Sequence, residues 1–387
     1  MNKKINVLFI TPNTGIDGGS FRSGLKLCEL LMNEYNIYPI ILVREKGEGI
    51  NLIRHAGIKT IYIRYFSWTV SNRKKLNIID LFKMFLKTIL NQFVELKICK
   101  LIQQYKIDLV HINSATINIG LKASRSNNIK SIWHVRELLE EDQHLKVFRN
   151  KWMNDFKKAD AIIAISDCVK KKYEKIALPE KVYRIYNGIN IEDFYLSHHI
   201  MENEQICLLC VGSMLGYKGH EEIIEAVKIL STKNYSDLHV TFVGDGKYRK
   251  KYEQLIDAQN LQDMFTFEGI QSDVTPFYNT TDIVLMCSDF EAFGRVTVEA
   301  MLAGCLVIGS DTGATPELLN KNQYGITYAK GDAKALATVI ESAINNRKES
   351  KNIALKGQQY AIQQFTAKRN ADEIYKLYCK LLMENTT

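Results

Sequence analysis

Two glutamates, Glu291 and Glu299, stand eight residues apart in the segment 288–318, SDFEAFGRVTVEAMLAGCLVIGSDTGATPEL. The apolar run 283–286 precedes it, so the segment starts where a strand ends. Phe293-Gly294-Arg295 then opens a helical pattern. A helix N-terminus with a close-approach glycine presents unpaired backbone N–H groups, which suit a phosphate. Glu299 lies about one turn further in, where a carboxylate can accept hydrogen bonds from ribose hydroxyls. Glu291 precedes the helix, within reach of a sugar. The same pattern also fits a plain helix-to-strand connection with Glu291 as a capping acid.

These residues need strands and helices to aim them. Short apolar runs alternate with amphipathic stretches along all 387 residues. In the first half, strands are expected at 6–10, 40–43, 60–63, 109–112, 131–134, 161–165 and 182–185. Helices are expected at 23–34, 80–105, 152–157 and 168–176. In the second half, strands are expected at 206–211, 239–243, 265–268, 283–286, 306–309 and 325–328, with helices at 221–230, 249–259, 274–279, 295–303 and 333–344. Alternating βα units imply parallel sheets covered by helices. The polar stretch 197–205 after Asn187-Gly188 reads as a linker. The expected division is 1–195, an N-terminal Rossmann-like domain, and 206–365, a second one. Residues 366–387 form a C-terminal helix packing back on the first, with Ile374, Leu377, Tyr378 and Leu381 at helical spacing. Ligands of open α/β sheets bind beyond the carboxyl ends of the strands, so functional residues should follow strands.

Composition narrows the class. Hydrophobic residues are 46% and charged residues 24%, with five prolines, which excludes a disordered or fibrous chain. The net charge of +8 is uneven: +13 over residues 1–200 and −5 over 201–387. A basic first half suits an anionic partner or a solvated surface. The apolar run 5–10 is too short for a secretory core, and no run approaches the ~18 residues of a bilayer span. The eight cysteines are scattered. Cys207 and Cys210 sit three apart in a strand-like run, so they face opposite sides and no second pair completes a zinc site. Free thiols in a reducing cytoplasm are expected. The GxxxxGK[ST] phosphate loop is absent, and the GxG at Gly244 and Gly246 lacks its third glycine.

The run EAFGRVTVE, followed by AMLAGCLVI, resembles the E-x7-E signature of retaining glycosyltransferase family 4. Further segments are similar to that family in the same order: 6–19, the IWHVRE of 132–137, 159–166 with 182–190, the VGSMLGYKG of 211–219, and the FVGDG of 242–246. The resemblance implies the GT-B fold, two Rossmann-like domains with parallel sheets facing an interdomain cleft. It implies a donor site made of Gly18, Gly19, Ser213, Lys218, Phe293, Gly294, Arg295 and Glu299, with Glu291 and His134 catalytic. Arg136 and Glu137 would touch donor or acceptor. Lys218 would neutralise a leaving diphosphate. Ser213 stands where many members carry an arginine, a departure that leaves Arg295 as the candidate second cation.

No Asp-x-Asp occurs in the chain, so no metal and no resident cofactor are expected; the nucleotide sugar is a co-substrate. The stretch 73–106 interleaves Arg73, Lys74, Lys75, Lys83, Lys87, Lys97 and Lys100 with Leu, Ile, Phe and Met. Such a stretch suits an anionic membrane surface or a core helix with a basic outer face. The expected function is transfer of a sugar, with retention, from a nucleotide diphosphate sugar such as a UDP-sugar. The acceptor would be a glycan or a lipid-diphosphate-linked molecule of surface polysaccharide or capsule synthesis. The place would be the cytoplasm, peripheral on the inner face of the membrane, without nucleic acid. A sugar-nucleotide 2-epimerase of the same architecture and a non-catalytic nucleotide- or glycan-binding protein remain as alternatives.

Overall fold

The computed structural model of the protein describes residues 4–15, 19–73, 75–197, 200–202, 204–233 and 235–383. The chain divides into two units, Met1–Gly188 with Ala367–Thr387, and Ile189–Thr366.

The first unit contains β1 (Ile5–Thr11), β2 (Ile37–Val43), β3 (Lys59–Tyr62), β4 (Thr69–Ser71), β5 (Leu109–Ile112), β6 (Lys130–Val135), β7 (Leu145–Val147), β8 (Ala161–Ala164) and β9 (Val182–Arg184). Seven of them form a sheet in the order β3-β2-β1-β5-β6-β8-β9, with every pairing parallel. A strand covered on both faces must be apolar throughout, and β1 buries Val7, Leu8, Phe9 and Ile10 in succession. The strand order turns around at β1, so the loops after β1 and β5 diverge there and leave a crevice. The terminal helix Ala367–Met383 belongs to this unit. Its Ala371, Ile374 and Tyr378 share a core with Leu27, Cys28 and Leu31 of the helix Gly19–Tyr35.

The second unit holds β10 (Ile206–Val211), β11 (Leu238–Val243), β12 (Phe265–Gly269), β13 (Ile283–Met286), β14 (Leu306–Ser310) and β15 (Ile326–Tyr328). Their order is β12-β11-β10-β13-β14-β15, again all parallel. Here the order turns around between β10 and β13. Two Rossmann-like α/β halves are thus present, as the alternating pattern implied. Ile189 donates its N–H to Phe365 O at 2.8 Å and bridges Thr366, which fastens residue 189 to the second unit. The division therefore falls at Gly188, upstream of the 197–205 stretch read as a linker.

Several elements differ from the sequence expectation, the short helices Gly49–His55 and Leu121–Ser126 among them. The stretch 152–157 is part of a 3-10 helix, Asn150–Lys158, which buries only Phe156. The pair β4 and β7 runs antiparallel beside the main sheet and had no sequence signal at three residues each. The helix Arg347–Gln364 was not anticipated, because its buried face is Ser350, Ala354, Gly357, Gln358 and Ala361. Small residues let it pack closely, and Gln358 Nε2 donates to Leu302 O at 2.7 Å. An apolar stripe is absent there, so periodicity gives no warning.

Candidate active site

In the second unit, the loops after β10 and β13 lie at the sheet's switch point. Gly219 joins them. It sits at φ +76°, and a Cβ there would run into the Cys287 carbonyl, so only glycine lets the two loops approach. Lys218 and Glu291 meet across this junction, Nζ to Oε1 at 2.5 Å. Ser288 Oγ donates to the same Oε1 at 2.7 Å. Ala314 N–H holds the Glu291 carbonyl at 2.9 Å, fixing the loop from below. Burial disfavours the charged ammonium of Lys218, but Glu291 outweighs it and holds the pKa above the ordinary lysine value. Lys218 is therefore cationic at neutral pH.

Gly294 caps the helix Arg295–Leu302 at φ +87°, a left-handed conformation that costs a non-glycine residue its ease. Buried Phe293 packs edge-on to Phe365 at 6.0 Å. One turn in, Glu299 is buried. Its Oε1 accepts from Arg295 Nε at 2.8 Å and its Oε2 from Tyr278 OH at 3.2 Å. Arg295 thus points along its own helix to Glu299, four residues on. Ser213 Oγ lies 3.3 Å from Tyr217 OH in the loop after β10.

In the first unit, the crevice is polar and buried. His134, fully buried at the end of β6, places Nδ1 3.1 Å from His111 Nε2 and 3.5 Å from an Arg136 guanidinium nitrogen. His111 Nδ1 lies 2.7 Å from Tyr378 OH of the terminal helix. Among the described residues, His134 Nε2 is buried without a hydrogen-bond partner. Burial, with the Arg136 charge nearby, holds both imidazoles well below the usual histidine range. Arg136 donates to Asn113 Oδ1 at 2.6 Å and Asn187 Oδ1 at 2.5 Å, tying together the ends of β5, β6 and β9. Glu137 accepts from Ser114 Oγ at 2.9 Å and Ala115 N–H at 3.0 Å. Burial pushes its carboxyl up against the pull of those two donors. Gly19 opens the helix Gly19–Tyr35, while Gly18 lies outside the described residues.

Sequence reasoning missed Ser288, Tyr278, His111, Tyr378, Asn113 and Asn187. His111 carried a usable signal: like His134, it sits near the carboxyl end of a parallel strand. Lys330 was missed as well. It follows β15, and its Nζ lies 2.5 Å from Glu222 and 3.0 Å from Cys287 O, beside the Lys218 loop's junction. Tyr378 had no local signal, being 267 residues from its partner.

Comparison with known proteins agrees with this fold. Residues 196–360 match the family described as glycosyl transferases group 1, and residues 75–193 match glycosyltransferase family 4. A capsular polysaccharide biosynthesis glycosyltransferase, CapM of Staphylococcus aureus, is 28% identical over 59% of this chain and 63% of its own. The N-acetyl-alpha-D-glucosaminyl L-malate synthase of Bacillus anthracis is 22% identical over 59% of this chain and 61% of its own. The chain thus spans less than two thirds of either relative. Among solved structures, Anabaena HepE in complex with UDP superimposes with a TM-score of 0.79 at 18% identity, covering 97% of this chain and 100% of that one. The same Anabaena protein has also been solved with UDP-glucose.

Proposed function

The chain belongs to the family 4 glycosyltransferases, and from that premise we propose that it moves a sugar, with retention, from a UDP-sugar to a glycan or lipid-diphosphate-linked acceptor. The carrying observation is the Lys218–Glu291 pair beside the Gly294 helix N-terminus, at the switch point of the second unit. An ammonium and converging backbone N–H groups suit a leaving diphosphate. Glu299, one turn in, takes the ribose hydroxyls, and Glu291 orients the sugar. HepE, of the same fold, binds UDP. CapM, a relative by sequence, serves capsule synthesis, which supports a surface-polysaccharide acceptor. The uneven basic charge supports an acceptor presented at an anionic membrane surface.

In this reading the acceptor hydroxyl attacks the anomeric carbon from the face that the diphosphate leaves. The carbon–oxygen bond to phosphate breaks, the new glycosidic bond forms, and the departing phosphate oxygen takes the hydroxyl proton. His134, with its unpartnered Nε2, contacts the transferred sugar in the same reading.

Calorimetry against UDP, GDP and ADP, followed by NMR of the product's anomeric configuration, tests the proposal. UDP preference with retained configuration is expected. Turnover of donor alone to its C2 epimer would establish the epimerase alternative instead. Specific nucleotide binding without turnover on any acceptor would leave a binding protein.

A further inference from the structure

The helix Ile78–Gln104 has two apolar faces. One buries Met84, Val94, Ile98 and Ile102 in the first unit, and it is locked there by Glu95, which accepts from Gly120 N–H and Ala123 N–H at 2.8 Å each. The opposite face carries Ile78, Phe82, Phe85, Ile89, Phe93 and Leu96, spaced three or four residues apart and therefore on one side. Ile78 is 84% exposed, Phe82 61%, Phe93 58% and Leu96 60%. A monomeric protein rarely leaves such a stripe uncovered. At 1.5 Å per residue it runs for about 27 Å.

The charges around the stripe are of one sign. Lys83, Lys97 and Lys100 are exposed and Lys87 is half-buried. The two acids are engaged elsewhere: Asp80 forms the capping box with Asn77, and Glu95 points inward. Arg73 and Lys75 lie exposed just before the helix. Among the described residues, no helix is long and apolar enough to cross a membrane.

We propose that this face lies in the surface of a bilayer containing anionic lipids, with its phenylalanines among the acyl chains and its lysines at the lipid phosphates. Charge complementarity selects this occupant. A second copy of the helix would bring one basic face against another, whereas an anionic leaflet neutralises both. The inference deepens the membrane-surface acceptor reading and rests on it for its purpose. It also changes the character of the contact: an inserted apolar face resists salt, where a purely basic surface is released by it.

The test uses the full chain and vesicles of phosphatidylcholine with and without phosphatidylglycerol, no acceptor being needed. Binding to the anionic vesicles is expected to weaken with salt but persist. Phe82→Ser/Phe85→Ser/Phe93→Ser should lower partitioning roughly a hundredfold, while UDP affinity and circular dichroism stay unchanged, since the rings are exposed. Lys83→Glu/Lys97→Glu should reduce binding only where phosphatidylglycerol is present. Phe82→Trp should shift its emission to the blue on vesicles. Equal partitioning of wild type and the triple serine variant would overturn insertion while leaving an electrostatic contact intact. A dimer in sedimentation that the triple variant abolishes would assign the face to a second copy. Transfer to a soluble acceptor by a protein that ignores vesicles would sink this inference and spare the proposed reaction.

Discussion

His111 and His134 meet nitrogen to nitrogen, Nε2 to Nδ1 at 3.1 Å, and the contact continues to Tyr378 OH at 2.7 Å from His111 Nδ1. The arginine beside them decides the direction. Arg136 can only donate, so His134 Nδ1 accepts from it at 3.5 Å and carries no proton. His111 Nε2–H then donates to His134, and Tyr378 O–H donates to His111. The proton of His134 is left on Nε2, the atom without a partner among the described residues. The protons are assigned from this network.

Tyr378 and His111 are thus positioning residues for His134. Tyr378→Phe should lower kcat by roughly tenfold with little change in KM, as the loss of an orienting partner does. His134→Ala should lower turnover by on the order of a hundredfold or more, with UDP affinity within a few-fold of wild type. Nitrogen-15 shifts of His134 should report the Nε2–H tautomer in wild type and in Tyr378→Phe, where Arg136 still donates to Nδ1, and a mixture in Arg136→Leu. An unchanged tautomer in Arg136→Leu would refute the direction assigned to the network. Because burial holds His134 below the usual range, it contributes no acid limb near pH 6.5 to kcat/KM.

Glu299→Ala should weaken UDP binding roughly ten- to a hundredfold, through loss of charge-assisted hydrogen bonds. Tyr278→Phe should cost less, because it removes one side chain that holds Glu299 and leaves Arg295 in place. Calorimetry with UDP measures both. A folded Glu299→Ala variant with wild-type affinity would remove the ribose assignment.

Lys218→Ala should lose diphosphate affinity and rate together, whereas Glu291→Gln should lose turnover and keep UDP affinity within a few-fold. The two share a 2.5 Å ion pair, so the double variant should fall short of additivity. With Lys218 and the Gly294 helix end meeting the leaving group, transfer should survive EDTA. Abolition by EDTA, with recovery on adding magnesium or manganese, would assign that charge to a metal.

Glu95 sets a pH dependence of stability. Burial pushes its carboxyl up from 4.5 to about 7, despite the two N–H groups it accepts from. The folded state therefore holds this proton more tightly than the unfolded chain. The resulting stability is fully present below about pH 4.5 and is lost as pH rises through about 7, by a few kcal/mol at most. His111 and His134, held low by burial, act in the opposite sense, gaining stability as pH rises through the unfolded histidine range. Glu95→Gln separates them: its melting temperature should fall less, or rise more, between about pH 5.5 and pH 8 than that of wild type. Parallel profiles would show that Glu95 titrates normally.

What lies close together in sequence was legible. Apolar runs of four to six residues set between amphipathic stretches specify buried parallel strands and their covering helices, because a strand covered on both faces has no polar side to show. The turn from Glu291 through Gly294 to Glu299 was readable for the same reason, as one strand end and one helix start supply all of it. Tertiary structure alone decided the rest. Sheet order brings β10 beside β13, which sets Lys218 against Glu291 across 73 residues. It brings β5 beside β6, which pairs His111 with His134, and the terminal helix then adds Tyr378. The helix Ile78–Gln104 is apolar on opposite faces, so its composition fits a core helix equally well, and only the packed fold shows which face is left in solvent. Local pattern encodes which segments are strands and helices. Which strand ends become neighbours is settled by packing between segments far apart in the chain, and the site is made of those neighbours.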